Sequence, residues 1–192
     1  MDFSFHNASR EIENPDIDGT TKWQRPLGFG RTHNYNAYLT IDGGGSYDNN
    51  WSVRLHDGNG NTSYFNWNTT YGIYGSEKGN HSYLEKSGSN PNFRWTLKRN
   101  DGAICYFSQN SSLSGRLDSL SDNNGNKQRL TYTGTTLTKI ADDLNREINI
   151  RYYAGTPYIQ YVYTPPDTIT GYRYNFNYTL NGTQYDLVTV SY

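Results

Sequence analysis

The sequence predicts an all-β protein built from tandem antiparallel β-hairpins that form one continuous, twisted or spiralling sheet. Aromatic residues make up 16% of the chain, and 19 residues are tyrosines; such side chains favour the pleated, half-buried surface of strands. The chain also contains 19 glycines, and its Asn- and Gly-rich segments favour tight turns. A hairpin-length segment recurs along the chain, which is the third indication.

The clearest repeat consists of residues 115–132, GRLDSLSDNNGNKQRLTY, and residues 135–152, TTLTKIADDLNREINIRY. An offset of 20 residues aligns the two segments and places Gly125 on Asn145. Both residue types tolerate a positive φ in a tight turn. Each segment is therefore predicted to be a strand, a turn and a returning strand. The aligned apolar pairs, which should share a burial class, are Leu117 with Leu137, Leu120 with Ile140, and Leu130 with Ile150.

A helix is the alternative for the second segment, because apolar residues from Leu137 to Ile148 also fit helical spacing. The first segment carries Asn123-Asn124-Gly125-Asn126 at the equivalent centre, which would break a helix. Strands are therefore favoured, and the two turns at Asn123–Asn126 and Asp143–Arg146 should superpose.

A second repeat, with shorter segments and a longer offset, lies upstream. VRLHDGNGNTSYF at 53–65 aligns with WTLKRNDGAICYF at 95–107 at an offset of 42 residues. Both segments have the pattern of a hairpin, in which alternating apolar residues precede an Asn/Asp/Gly turn and an aromatic returning strand. The stretch between them has room for one degenerate hairpin, and its middle, 71–89, is predicted to be mainly loop. One apolar layer is expected from Val53, Leu55, Phe65, Trp95, Leu97 and Phe107.

The chain is predicted to be a single module over 1–192. Residues 1–22 are polar and irregular and are predicted to be an N-terminal arm, 23–114 the lead-in hairpins, and 115–192 the repeats. Further strands are predicted at 158–163, 172–178 and 185–192. The last of these carries one charged residue, Asp186, and its exposed edge is expected to pair with another strand.

Residues 115–132 resemble a unit of the Rhs/YD-repeat family. The resemblance rests on Gly115-Arg116-Leu117, on Leu120, on Asp122 before the turn, on Gly125-Asn126 in it, and on the closing Tyr132. The segment LGFGRTHNY at 27–35, followed by two Asp/Asn-Gly hairpins, is similar to the lead-in of these proteins. The resemblance implies a secreted or cell-surface shell, in which a long sheet winds into a hollow spiral that can encase a C-terminal toxin.

The sequence departs from the family pattern in three ways. The Tyr-Asp pair occurs at Tyr47-Asp48 and at Tyr185-Asp186 but not between the two clear repeats. Asn145 replaces the turn glycine, and the chain has no Asp-Pro dipeptide, so the self-cleaving core of many family shells is absent. A chain of 192 residues is too short to form such a shell alone, which suggests a fragment or a reduced relative.

No residue pattern predicts an enzyme, a metal site or a cofactor. Asp57-x-Asn59-x-Asn61 imitates the start of a calcium loop, but Thr62 stands where Gly is needed and Asn68 where Glu is needed. A hairpin turn is the better interpretation.

The remaining reactive residue types are also predicted to be structural. Cys105 has no second cysteine to pair with and is predicted to be a buried small hydrophobe. Asp142 and Asp143 are adjacent in sequence, so strand geometry would point them to opposite faces. No metal-like spacing relates the four histidines, His6, His33, His56 and His81.

The most distinctive candidate site is an aromatic ladder on the predicted strand 172–178. A period of two places four aromatic residues on one face and Arg173, Asn175 and Asn177 on the other. Cross-strand packing is the favoured interpretation, and an exposed sugar-stacking platform, extended by Trp51, Trp67 and Trp95, is the alternative. The ladder consists of Tyr172, Tyr174, Phe176 and Tyr178.

The predicted function is therefore a non-enzymatic structural or encapsulating module of an extracellular or cell-surface YD-repeat protein. The alternative is an extracellular carbohydrate-binding domain. The expected partners are further repeats of a longer chain or a second copy, joined through the C-terminal edge strand, and glycans for the alternative. A net charge of −1 gives no reason to expect nucleic acid, and no apolar run is long enough to span a membrane.

Overall fold

The structure, a computed structural model, describes residues 1–7, 26–27, 31–42, 52–89, 93–111, 114–165, 172–181 and 184–192. Within these ranges the chain forms strands and turns and no helix, which confirms the predicted all-β class. Nothing helical in these ranges could therefore cross a membrane. The strands are β1 (Phe5–Asn7), β2 (Arg31–His33), β3 (Tyr38–Asp42), β4 (Ser52–His56), β5 (Thr62–Asn68), β6 (Ile73–Ser76), β7 (Tyr83–Ser87), β8 (Arg94–Lys98), β9 (Ile104–Ser111), β10 (Ser114–Ser121), β11 (Lys127–Thr133), β12 (Thr136–Asp142), β13 (Glu147–Tyr152), β14 (Ile159–Tyr163), β15 (Arg173–Asn181) and β16 (Gln184–Ser191).

The chain divides into two compact units. The first unit contains residues 1–36, 58–60 and 130–192. The second unit contains residues 37–57 and 61–129. The unit boundary at Leu130 falls within β11, so this strand begins in the second unit and ends in the first.

In the second unit, eight strands from β3 to β10 close into an antiparallel barrel. Each strand from β3 to β9 pairs with the next one along the chain. β10 closes the ring because it pairs with β9 on one edge and with β3 on the other, where Gly115 lies opposite Leu39. Farther along that second edge, β10 pairs with the start of β11. Closure leaves none of these eight strands with a fully open edge.

The interior of the second unit contains the apolar layer predicted from the upstream repeat. Alternate residues of β4 and β8 point inward, as expected for strands with one face in a core. Trp95 is 2% exposed, and its ring meets that of Tyr74 at 5.2 Å in an edge-on arrangement. The buried members of the predicted layer are Val53, Leu55, Phe65, Trp95, Leu97 and Phe107. The prediction is confirmed.

The stretch 71–89 contains the hairpin for which the sequence left room, with nine of its 19 residues in strands, so it is about half loop rather than mainly loop. It contains β6 and β7, which pair with each other and with their neighbours β5 and β8. Tyr74 and Leu84 lie opposite each other in this hairpin, and both are fully buried. The composition misled because Gly and Ser occupy the turn and the outer positions, while two large side chains supply the core contact.

The first unit contains a small two-stranded sheet, the end of β11 and the five strands β12–β16, which lie side by side in chain order. β1 pairs with β2, so that Phe5 lies opposite His33. Residues 5–7 therefore do not belong to an irregular arm, and the rest of the predicted arm, 8–22, lies outside the described residues. The ring of Phe5 meets that of Phe176 in β15 edge-on, with 6.4 Å between the ring centroids. Pro26 O accepts a hydrogen bond of 2.8 Å from Ile159 N.

The two turns of the clear repeat have the same hydrogen bonds, as predicted. In the first turn, Asp122 N donates to Asn126 O and Gly125 N donates to Asp122 O, both at 3.1 Å. In the second, Asp142 N donates to Arg146 O and Asn145 N donates to Asp142 O, again at 3.1 Å. This is a three-residue hairpin loop that ends in a left-handed residue. In the turns after β4 and β8, the residue before the loop likewise donates its backbone N–H to the C=O of the residue after the loop.

The aspartate at the start of each turn holds the loop. Asp122 Oδ1 accepts hydrogen bonds of 2.9 Å from the backbone of Asn124 and of Asn126. A bond from the Asn126 side chain is the main reason that the pKa of Asp122 is lowered. At Asp142 desolvation acts to raise the pKa, and hydrogen bonds from Arg146 and Leu144 N lower it overall.

One of the three predicted burial pairs differs. Leu117 and Leu137 are both buried, as are Leu130 and Ile150, but Leu120 is half-buried where Ile140 is fully buried. In β10 the inward positions are Gly115, Leu117 and Ser119, so Leu120 points to the other face. The two segments therefore have the same kind of turn, but their strands pack in different units: β10 in the second unit and β12 in the first.

Candidate functional site

A cavity of about 320 Å³ lies in the first unit, between the N-terminal residues and one face of the sheet. Strands β13 to β16 supply the floor, and residues 1–5 form one wall. Its volume is at the lower end of the range for small-ligand sites. The described residues that line it are Met1, Asp2, Phe3, Phe5, Ile148, Val162, Tyr163, Thr164, Tyr172, Tyr174, Phe176 and Val190.

The predicted aromatic ladder supplies three of these residues. The exposed fraction falls along the strand toward the middle of β15. It is 62% for Tyr172, 48% for Tyr174 and 1% for Phe176, and all three line the cavity. Cross-strand pairing explains the burial, because Tyr174 lies opposite Val162 and Phe176 lies opposite Val190. The ladder therefore packs at one end and is open at the other.

Tyr178, the fourth residue of the ladder, lies outside the cavity lining. Its hydroxyl donates to Pro26 O at 3.3 Å, and its ring lies 6.1 Å from that of Tyr153 and 5.4 Å from that of Tyr158. Burial raises the pKa of Tyr178. This residue packs as part of the core of the first unit, as the cross-strand interpretation expects.

The opposite face of β15 is polar, as the period of two predicted. The guanidinium of Arg173 lies 3.7 Å from the ring centroid of Tyr161, and its Nε donates to Asn175 Oδ1 at 2.9 Å. Tyr161 and Asn175 are cross-strand partners. Such a cation–π contact stabilises an exposed sheet face by about 0.5–1 kcal/mol.

Tyr192 joins the exposed end of the ladder. Its ring lies 6.1 Å from that of Tyr172 and 5.4 Å from that of Tyr174, and 76% of the residue is exposed. We call Tyr172, Tyr174 and Tyr192 the tyrosine cluster. Sequence reasoning assigned Tyr192 only to an edge strand, because the pairing of β15 with β16 decides which residues become neighbours.

The N-terminal wall of the cavity is held by Asn34. Asn34 N donates to Ser4 O at 3.0 Å, and Ser4 N donates to Asn34 Oδ1 at 3.2 Å. Asn34 Nδ2 also donates to Asp2 O at 2.9 Å. Phe3 stacks on His33 with 4.9 Å between ring centroids. These contacts join residues 30 or more positions apart, so no local pattern in the sequence could reveal them.

His33 is the most deeply buried titratable residue beneath this wall. Burial, and to a smaller degree the charge of His6, lower the pKa of His33 to about 3. Its Nδ1 is buried without a hydrogen-bond partner. The neutral imidazole therefore packs as an aromatic ring in the fold.

The tryptophans expected to extend a sugar platform do not do so where the structure describes them. Trp95 is a core residue of the second unit, which contradicts that part of the interpretation. Trp67 is half-buried with its ring 5.1 Å from that of Tyr74, and Trp51 lies outside the described residues. The Tyr47-Asp48 pair and residues 28–30 of the lead-in segment also lie outside them.

The other candidate chemical groups have structural contacts. Asp57 Oδ1 accepts from Asn61 N at 2.9 Å, so the calcium-like segment forms a hairpin turn. Cys105 is half-buried where a buried residue was predicted, and desolvation raises the pKa of its thiol to about 11, which disfavours the reactive thiolate. Within the described ranges, no three His, Cys, Asp or Glu side chains are grouped so that they could hold a metal ion.

The described lining of the cavity combines aromatic rings with few ionisable groups. Aromatic rings dominate the lining, and Asp2 supplies its one carboxylate among the described residues. Tyr172 N donates to Thr164 Oγ1 at 3.2 Å, which fixes the backbone where β15 begins.

No family model matches this chain, and no curated protein matches it either. The resemblance to Rhs/YD-repeat proteins therefore stays a prediction from residues 115–152 and their turns.

Proposed function

We propose that this chain is a non-catalytic structural module of a secreted or cell-surface YD-repeat protein, and that it assembles by strand addition at β16. The supporting observation is the edge of that strand. β16 pairs with β15 from Asn175↔Ser191 to Asn181↔Gln184, and within the described residues no strand lies on its other side. Tyr185 and Val188 on this strand are 39% and 62% exposed.

The physical argument concerns the backbone groups of that edge. An open edge strand presents a row of N–H and C=O groups that can pair with another chain, and natural sheets usually protect such edges with charges, prolines or short strands. β16 has eight residues, no proline and one charged residue, Asp186. An added strand would satisfy the open backbone groups and cover Val188. This favours assembly as the role of the edge.

Analytical ultracentrifugation of the purified chain at micromolar concentrations tests this proposal. We expect concentration-dependent self-association, because a second copy offers the same edge. Val188→Lys places a charge on the edge and should weaken the association at least about tenfold. Tyr71→Lys is the matched control, since Tyr71 is 74% exposed on the second unit. A wild-type chain that stays monomeric at every concentration contradicts the assembly proposal.

A second candidate function, glycan binding, is favoured by the tyrosine cluster beside the cavity. Tyr172 and Tyr174 each contact Tyr192, and the three rings, which are 48–76% exposed, form an aromatic surface that is open to solvent. Such rings can stack on the apolar faces of pyranoses, and the hydroxyls and Asp2 can bond the sugar hydroxyls.

Calorimetric titration with a β-1,4-linked glucose tetrasaccharide tests glycan binding. Tyr174→Ala should abolish the binding, because Tyr174 belongs both to the cluster and to the cavity lining. Tyr64→Ala is the control, since Tyr64 is a 43% exposed tyrosine of the second unit. Absence of binding, or equal loss in both variants, contradicts this function.

A further inference from the structure

We infer that two copies of this chain form a closed dimer with two-fold symmetry, in which β16 pairs antiparallel with β16 of the second copy. The inference rests on the proposed assembly at β16 and names the partner, the strand direction and the end point of that assembly. It follows from the open strand edges, from the one charge on β16 and from the exposed side chains of the β15–β16 hairpin.

The number of open edges is the first argument. A filament grows only if each copy offers two complementary surfaces, whereas a single self-complementary surface is used up when two copies meet. In the second unit, β9 pairs with β8 and with β10, so the barrel ends without a free strand. In the first unit, β12 to β15 each have a neighbour on both sides.

The remaining strands of the first unit are short. β1 and β2 have three residues each, and very short edge strands are poor templates for pairing. Among the described strands, β16 is therefore the long strand with an open side, and β15 occupies its other side from Gln184 to Ser191. Assembly through this edge stops at two copies.

The charge on β16 is the second argument, and it concerns strand direction. Parallel pairing in register would place every residue of β16 beside the same residue of the second copy, so two Asp186 carboxylates would be neighbours. Like charges directly opposite each other destabilise a sheet. In an antiparallel pair about a two-fold axis, only the residue at the axis faces its own counterpart. An axis away from Asp186 separates the two carboxylates, and antiparallel ladders are also slightly more stable per residue.

The exposed side chains of the hairpin are the third argument. In the described part of the chain, six of the ten exposed large apolar or aromatic residues lie on β15 and β16 or directly beside them. Such clustering marks an interaction surface. A second β16 would give Tyr185 and Val188, which are 39% and 62% exposed, new cross-strand neighbours. The six residues are Tyr172, Tyr174, Leu180, Tyr185, Val188 and Tyr192.

The symmetry also fixes where the two cavities lie. Directly opposite residues of paired strands point to the same face of a sheet, so the two-fold axis stands perpendicular to the joined sheet. Phe176 and Val190, which lie opposite each other, line the cavity on one face of the hairpin. The dimer therefore presents both cavities, and both tyrosine clusters, on the same face.

Sedimentation equilibrium at micromolar to millimolar concentrations tests the end point of assembly. We expect the mass to rise with concentration and to level off at twice the 22.0 kDa of one copy. A mass that keeps rising overturns the inference, while the proposed assembly at β16 stands. A mass that stays at that of one copy contradicts the assembly proposal and the inference together.

Disulfide cross-linking tests the strand direction. Cys105→Ser removes the native thiol, and cysteine then replaces each residue from 185 to 191 in turn. Opposite residues of an antiparallel pair lie about 4.5–5.5 Å apart, which a disulfide can bridge. Two residues away from the axis, the two cysteines are displaced by about 14 Å along the strands and cannot be bridged. We expect one position to cross-link most, with the yield falling on both sides of it.

Tyr71→Cys in the same background is the control, since Tyr71 is 74% exposed on the second unit and should give no cross-linked dimer. Equal yields at every position of β16 indicate parallel pairing and overturn the inference, while the assembly at β16 stands. Cross-linking at none of these positions, in variants that still dimerise, places the contact elsewhere and contradicts both proposals.

Discussion

Replacement of Gly125 by alanine tests whether the repeated hairpin turn depends on one left-handed residue. Gly125 has a φ of 85°, and Asn145, at the same position of the next repeat, has a φ of 59°. A Cβ atom added at Gly125 would meet no heavy atom within 4 Å. The substitution therefore changes the backbone preference and leaves side-chain packing untouched.

The expected magnitude follows from two opposing contributions. A left-handed conformation costs an L-residue about 1–2 kcal/mol. Alanine also restricts the unfolded chain, which offsets about 0.4–1 kcal/mol of that cost. Gly125→Ala should therefore lower the free energy of unfolding by about 1 kcal/mol. Gly125→Asn should lower it by less than about 0.5 kcal/mol, because asparagine tolerates this conformation, as Asn145 does.

Urea denaturation followed by circular dichroism measures these differences, and two further variants serve as controls. Asn145→Ala should cost about as much as Gly125→Ala, since the two turns have the same hydrogen bonds. Gly102→Ala should cost more, because a Cβ there lies 2.9 Å from the Cβ of Asn123 and adds steric overlap to the unfavourable φ. If Gly125→Asn destabilises the protein more than Gly125→Ala, backbone conformation is not the cause and the reasoning is wrong.

Three other substitutions test the core, a close backbone approach and the buried histidine. Trp95→Ala should lower the free energy of unfolding by about 3–5 kcal/mol. In the same denaturation assay, replacement of the exposed Tyr71 by alanine should lower it by less than about 0.5 kcal/mol. Equal losses would contradict the assignment of Trp95 to the core. Gly58→Ala should lower the midpoint of thermal unfolding, because its Cβ would lie 2.2 Å from Asn34 O; an unchanged midpoint would contradict this contact. His33 has a pKa lowered from 6.5 to about 3, so the unfolded chain binds its proton first and stability should fall as the pH drops from 6.5 toward 3. His33→Phe should flatten this dependence above about pH 5, where carboxylates remain ionised, and an unchanged slope would refute the role of His33.

Local interactions explain what could be predicted of the fold. The turns at Asp122 and Asp142 are set by hydrogen bonds within five consecutive residues and by one residue with positive φ. Residue type alone indicates both features. The burial of Trp95 and of its layer followed from apolar alternation, which also depends only on neighbours in sequence. The alternation of β15 likewise predicted that Tyr172, Tyr174 and Phe176 would share a face.

The candidate site was predicted only in part for the same reason. Tyr172 immediately precedes β15 and the other three residues of the ladder lie within it, so the period of two was visible in the sequence. Asp2, Phe3 and Phe5 joined it only through β1, which pairs with β2, and through the contact of Phe5 with Phe176. Tyr192 reached the ladder through the pairing of β15 with β16.

The sequence by itself determined the all-β class, the hairpin turns of the repeats and the burial of the apolar layer formed by the upstream repeat. The tertiary structure alone decided that β10 closes a barrel with β3, that Tyr74 and Leu84 supply core contacts, and that the N-terminal residues wall a cavity. Turns depend on side chains a few residues apart, and each residue type restricts them differently. Strand pairing uses backbone N–H and C=O groups that nearly every residue carries, so the sequence hardly distinguishes one distant partner from another.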